Sequence, residues 1–271
     1  MVRDITIGQY FPGKSLLHRM DPRVKIVLTL IFIFVIFFCK NFFALGLMAA
    51  FLIGGICISG VPFKMLLKSL KAIMVIVVIT GLLNLFYAAG GNVLLDLGFA
   101  KITDKGVYTA IFMTVRIACL IIGSSLMTYT TTPTMLTDAI ERLLSPLKIF
   151  NIQVNTLAMM MTLALRFIPT LIEEIDKIMN AQKARGADLE NGNLIQRAKA
   201  LVPILVPLFV SSFRRAYELA FAMECRCYTG SNKRTRMKQM KLSWLDLLFV
   251  IGIAVLVTGV ILFNHFFTHL I

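Results

Sequence analysis

Two arginines close helical patterns in the same way. Ala181-Gln182-Lys183-Ala184-Arg185-Gly186 ends one amphipathic stretch, and Ala222-Met223-Glu224-Cys225-Arg226-Cys227 ends another, each reading Ala-x-x-small-Arg-small. A guanidinium presents its donors in a rigid planar fork that matches a carboxylate or a row of backbone carbonyls. The small neighbours Ala184, Gly186, Cys225 and Cys227 leave that fork accessible, so a helix tip of this kind suits a partner's groove. The same residues also have a purely structural use. A cation near a helix C-terminus is favoured by about 0.3–1 kcal/mol, and glycine just past the last turn is a common stop. Repetition of the pattern 41 residues apart, on two amphipathic segments, favours the contact reading.

Other residues offer less chemistry. Arg116 lies midway along an apolar run, where a cation suggests function by default, but with no acid in the apolar runs the sequence points to snorkelling or a partner contact. Met159, Met160, Met161 and Met179 suit either an adaptable surface or ordinary packing. His18, His265 and His269 are isolated and receive no role. Gly123-Ser124-Ser125 only faintly echoes an intramembrane serine site, with no histidine near it. HExxH, GxSxG and GxxxxGK[ST] are absent from the sequence, so neither catalysis nor nucleotide binding by this chain is expected, and no catalytic residue is assigned.

The elements that must position the two arginines are mostly apolar. Hydrophobic residues make up 58% of the 271, only 15% are charged, and the mean hydropathy is +0.82. Soluble domains are about 25% charged, so this is an integral membrane protein. The net charge of +14 fits cytoplasmic loops facing anionic lipid and, in so apolar a chain, argues against nucleic acid. The five cysteines are scattered without CxxC spacing; they are read as reduced, and no metal site is expected. Met1 to Pro22 lacks the pattern of a cleaved leader, which makes the first apolar run an uncleaved anchor.

In chain order, spans are expected at Ile26–Cys39, Asn41–Phe63, Ala72 to about Ala89, and Val107–Met127, with a last one at Leu245–Phe263. Lysines and arginines crowd the N-terminal segment, Lys64 to Lys71 and Lys233 to Lys241. The positive-inside rule therefore places the N-terminus and Thr130 in the cytoplasm, with Gly90 to Lys105 and Ile271 outside. Between the fourth span and the last, Thr132 or Thr134 caps a helix carrying Leu136, Ile140, Leu143 and Leu144 on one face. The apolar run 149–165 is ambiguous, and a charged amphipathic helix follows with Phe167, Leu171, Ile175 and Ile178 on its apolar stripe. Gly186 is suited to stop it, while Pro203 and Pro207 are expected to kink or delay the next helix. The expected fold is all-α, with about five transmembrane helices plus amphipathic helices. Its regions are 1–130 with four spans, 131–241 cytoplasmic or interfacial, and 242–271 with the final span.

Several of these stretches resemble the transmembrane T component of energy-coupling factor transporters. They are Ser15-Leu16-Leu17-His18-Arg19-Met20-Asp21-Pro22-Arg23-Val24-Lys25, Thr137 to Leu144 with Pro146, Leu165-Arg166-Phe167-Ile168-Pro169, and the run ending Ala184-Arg185-Gly186. The second tip departs from the family's usual Ala-Arg-Gly, reading Cys225-Arg226-Cys227. The resemblance covers nearly the whole chain. It implies a coupling subunit of a bacterial plasma-membrane importer for vitamins or metal ions. Two ATP-binding-cassette ATPases, which bind ATP and magnesium, would dock on the two arginine tips. A separate membrane S component would carry the substrate and meet apolar positions such as Leu171, Ile175 and Met179. No cofactor is implied for this chain. The competing class, a self-contained secondary carrier or channel, needs midplane binding groups or broken helices; the spans offer neither paired charges nor inverted halves.

Overall fold

The computed structural model describes residues 10–87, 93–96, 101–150, 153–187, 194–230 and 242–266. Gly90 to Asn92 of the segment expected outside, the basic run from Lys233 to Lys241, His269 and Ile271 lie outside the described residues. In chain order the elements are α1 (Leu16–Arg19), α2 (Pro22–Phe38), α3 (Phe42–Ser59), α4 (Phe63–Tyr87), β1 (Val93–Asp96), β2 (Lys101–Thr103), α5 (Asp104–Thr130), α6 (Pro133–Leu143), a 3-10 turn (Ser145–Phe150), α7 (Val154–Ala184), α8 (Leu194–Cys225) and α9 (Trp244–Phe266). The fold is all-α. A small antiparallel hairpin, pairing Val93 with Thr103 and Asp96 with Lys101, replaces the expected plain loop between the third and fourth spans.

Among the described residues five helices are long and apolar enough to cross a membrane, as expected in number, or six with the bent α4 taken as one span. Their membership is a finding. They are α3, α5, α7, α8 from Lys199, and α9; α2, with 17 residues, is at the short limit for a span. The run 149–165 and the charged segment after it are one helix, α7, which passes straight through Pro169. Its first half is apolar and its charges gather from Arg166 onward, so one helix carries both characters. Likewise α8 runs through Pro203 and Pro207.

The described residues divide into two compact units, one within 10–139 with 242–266 and one within 140–230. In the first, a core of Phe32, Ile36, Leu45, Met48, Leu52, Phe112, Cys119, Leu256 and Val260 joins α2, α3, α5 and α9. Gly123 on α5 is needed for this packing, because a Cβ there would lie 2.7 Å from the Phe32 ring and 3.3 Å from Leu52. Neighbouring Ser124 is exposed and returns its hydroxyl to the Leu120 carbonyl at 2.9 Å, so within this trio it is Gly123 that serves packing.

Polar clamps close both ends of the bundle. At one end the buried Lys25 donates to the Thr130 carbonyl at 3.1 Å and to Thr131 Oγ1 at 3.0 Å. Beside it, the buried Asp246 accepts from the backbone N–H of Asp21 at 2.8 Å and of Ser243 at 2.7 Å. Asp246, already inside the last expected span at Leu245–Phe263, belongs to α9, so the expectation that no apolar run contains an acid is corrected. At the other end Asn264 donates to the Phe38 carbonyl at 2.8 Å and accepts from the Lys40 N–H at 3.2 Å. From Asp246 to Asn264 is about 27 Å of helix, close to the roughly 30 Å of hydrocarbon it has to cross.

Arg116 belongs to this second clamp. Its guanidinium donates to the Cys39 carbonyl and sits 4.6 Å from the centre of the Phe112 ring. It therefore satisfies an orphan carbonyl at the C-terminus of α2, and its use is structural.

Helix caps follow local chemistry. Thr132, rather than Thr134, caps α6 by accepting from the Met135 N–H at 3.3 Å, with Pro133 at the first helical position. On α6 the buried residues are Thr137 and Ala139, while Leu143 and Leu144 are exposed. The stripe expected from spacing is therefore not the buried face.

Candidate functional site

Both arginine tips are built from the same chain reversal. At the end of α7, Gly186 takes φ +83°, its N–H bonds the Lys183 carbonyl at 3.0 Å, and the Ala187 N–H bonds the Gln182 carbonyl at 3.0 Å. At the end of α8, Cys227 takes φ +57°, its N–H bonds the Glu224 carbonyl at 2.9 Å, and the Tyr228 N–H bonds the Met223 carbonyl at 3.0 Å. This is the paired 6→1 and 5→2 closure that ends a helix in a left-handed residue. It places Arg185 and Arg226 at the same position, one residue before the reversal. Gly186 fits the left-handed region freely, whereas a cysteine there costs about 1–2 kcal/mol. Ala184, Arg185, Gly186, Cys225, Arg226 and Cys227 are all exposed.

The two helices run antiparallel. Gln182 Nε2 donates to the Pro203 carbonyl at 3.2 Å, and Arg215 bonds Glu174 at 2.7 Å. Further along, Met159 and Leu163 of α7 line one cavity with Leu219, Met223 and Arg226. The tips therefore lie at opposite ends of the pair. From the level of Gln182 to that of Met159 is about 35 Å of helix. The sequence pattern showed two equal tips but carried no sign of this separation.

Leu171, Ile175 and Met179 are half-buried within their unit. The broad open apolar surface is instead on α8, where Val202, Val206, Phe209, Phe213, Tyr217 and Phe221 are each more than half exposed, with Met160 likewise open on α7. Arg166 and Lys177 are exposed. Sequence reasoning also missed the Lys25–Thr131 and Asp21–Asp246 contacts. The one local hint was Asp21 before Pro22, a helix start whose carboxylate accepts from the Arg23 N–H at 2.9 Å.

The family model described as cobalt transport protein, CbiQ, matches residues 13–238. A protein of Ruminiclostridium cellulolyticum named energy-coupling factor transporter transmembrane protein EcfT is 53% identical over 98% of this chain and all of its own. The chain belongs to the CbiQ/EcfT family. An EcfT of Clostridium kluyveri is 53% identical over 95% of each chain. An EcfT of Bacillus subtilis is 44% identical over 94% of this chain and 97% of its own. Membership makes this EcfT-family chain a membrane component of a transporter, and its several long apolar helices make it multi-pass.

Proposed function

We propose that this chain is the coupling subunit of an energy-coupling factor importer. In this reading it transmits ATP-driven motion of two ATPase subunits to a membrane S component that carries a vitamin or metal ion. The reading places the N-terminus in the cytoplasm of a bacterial cell, as the positive-inside count directs. ATP and magnesium belong to the ATPases, and this chain contributes no catalytic group. The observation that carries the reading is the pair of exposed arginines, Arg185 and Arg226, in identical helix endings about 35 Å apart. Two separate grips of one chemistry suit two similar partners better than one. The apolar face of α8, together with Leu171, Ile175 and Met179 on α7, is the surface assigned to the S component.

The test is charge reversal in the assembled transporter. Loss of one partner from a buried charged contact costs about 2–5 kcal/mol, so Arg185→Glu or Arg226→Glu should lower uptake far more than expression. The double change should abolish co-purification of the ATPases, while Lys177→Glu should do little. Uptake and ATPase binding that survive both reversals would leave the tips as helix caps only. Leu171→Asp with Ile175→Asp should release the S component while the ATPases stay bound.

A further inference from the structure

We infer that the first turns of α4 form a binding surface for anionic phospholipid headgroups. The helix bends by 61° between Phe63–Lys71 and Ile73–Phe86, which separates its first segment from the long apolar one. That segment divides into three sectors. Leu66 is buried in the cluster of Leu17, Val61, Leu126 and Tyr129, and Ser69 shares a 2.6 Å hydrogen bond with the Tyr129 hydroxyl. The second sector, Phe63 and Leu67, is apolar and exposed at 61% and 47%. The third carries Lys64, Lys68 and Lys71, all exposed.

A protein-facing side, an apolar side and a cationic side next to one another are what a helix lying in the membrane interface requires. The apolar side enters the acyl region and the lysines meet headgroup phosphates. Competition from protein carboxylates is low, because no acidic residue occurs between Asp21 and Asp96. The described residues also give none of the three lysines an ion pair. The segment lies at the clamp end of Lys25 and Thr130, since Tyr129 holds it there through Ser69 and the Met65 carbonyl. Each lysine near an anionic surface favours it by about fivefold.

The full chain, in nanodiscs, supplies the test. Its single tryptophan is removed as Trp244→Phe, and Leu67→Trp places a reporter on the apolar sector. Quenching is compared for brominated phosphatidylglycerol and brominated phosphatidylcholine. The expected result is half-quenching at a mole fraction of phosphatidylglycerol lower by at least the roughly fivefold that one lysine supplies, the preference being reduced by 0.5 M salt. Lys64→Gln, Lys68→Gln and Lys71→Gln together should bring the ratio to about one. Ile261→Trp, on an exposed face of α9, should show no preference with the lysines intact. Equal quenching by the two lipids near α4, or a preference that survives the triple change, overturns the inference. Should the triple variant fail to assemble, Lys68→Gln alone must lower the ratio, and an unchanged ratio overturns the inference equally.

Discussion

Replacing Lys25 with methionine tests how the membrane unit holds the end of α5. Lys25 is 5% exposed, and its ammonium makes two hydrogen bonds, to the Thr130 carbonyl and to Thr131 Oγ1. Lys25→Met keeps the length and most of the apolar stem. It removes both bonds, strands a buried carbonyl and hydroxyl, and takes away a positive charge that acts on Asp246, itself 2% exposed. Hydrogen bonds from a charged donor contribute about 1.5–3 kcal/mol each. Relief of the ammonium's own desolvation returns part of this, and breaking one side of a buried charged network typically costs about 3–5 kcal/mol. A net loss of about 2–4 kcal/mol follows, or roughly 5–15 °C in Tm for a chain of this size. Thermal unfolding of the purified protein in detergent reads it directly. Lys25→Met combined with Asp246→Asn should destabilise by less than the sum of the single changes, since each removes the other's reason to be buried. A Tm for Lys25→Met within a degree of the parent would refute the clamp.

Three further outcomes are expected. Gly123→Ala places a Cβ 2.7 Å from the Phe32 ring and should cost about 1–3 kcal/mol, read as a lower Tm that Phe32→Leu partly restores. Cys227→Gly removes a left-handed cysteine and should stabilise the α8 tip by up to about 1 kcal/mol, visible as slower amide exchange at Tyr228, whereas Gly186→Val should speed exchange at the α7 tip. The Glu174–Arg215 pair is partly exposed, so a double-mutant cycle to alanine should give a coupling of no more than about 1 kcal/mol, falling in high salt.

Legibility tracked the range of the interaction. The stop at Gly186 and the start at Thr132 could be read because caps act within four residues. The arginine pattern could be read because it repeats. The unity of α7 could not, because Pro169 and the change from apolar to charged residues suggested two elements where backbone continuity makes one. Arg116 looked like a lone intramembrane cation. The carbonyl it satisfies belongs to Cys39, 77 residues away, at the C-terminal cap of α2. The bond between Asp21 and Asp246 spans 225 residues, beyond the reach of any pattern in a single sequence. The face of α6 was misjudged because its leucines obey helical spacing while the smaller Thr137 and Ala139 fit the closest contact.

The equal spacing of the two patterns has a mechanical counterpart. Glu174 lies eleven residues before Arg185, and Arg215 lies eleven before Arg226, so the 2.7 Å bond between them sits midway between the two tips, with matched arms of about 16 Å. If α8 turned over α7 about that point by 10°, its tip would travel about 3 Å relative to α7, and α7's tip would travel as far relative to α8 in the opposite sense. Two bodies gripping the ends would thus be geared together at a ratio of one to one. Inserting a single residue on one side of that point would lengthen that arm by about 1.5 Å and swing its arginine about 100° around the helix axis, breaking the gearing while both helices and both tips remained intact.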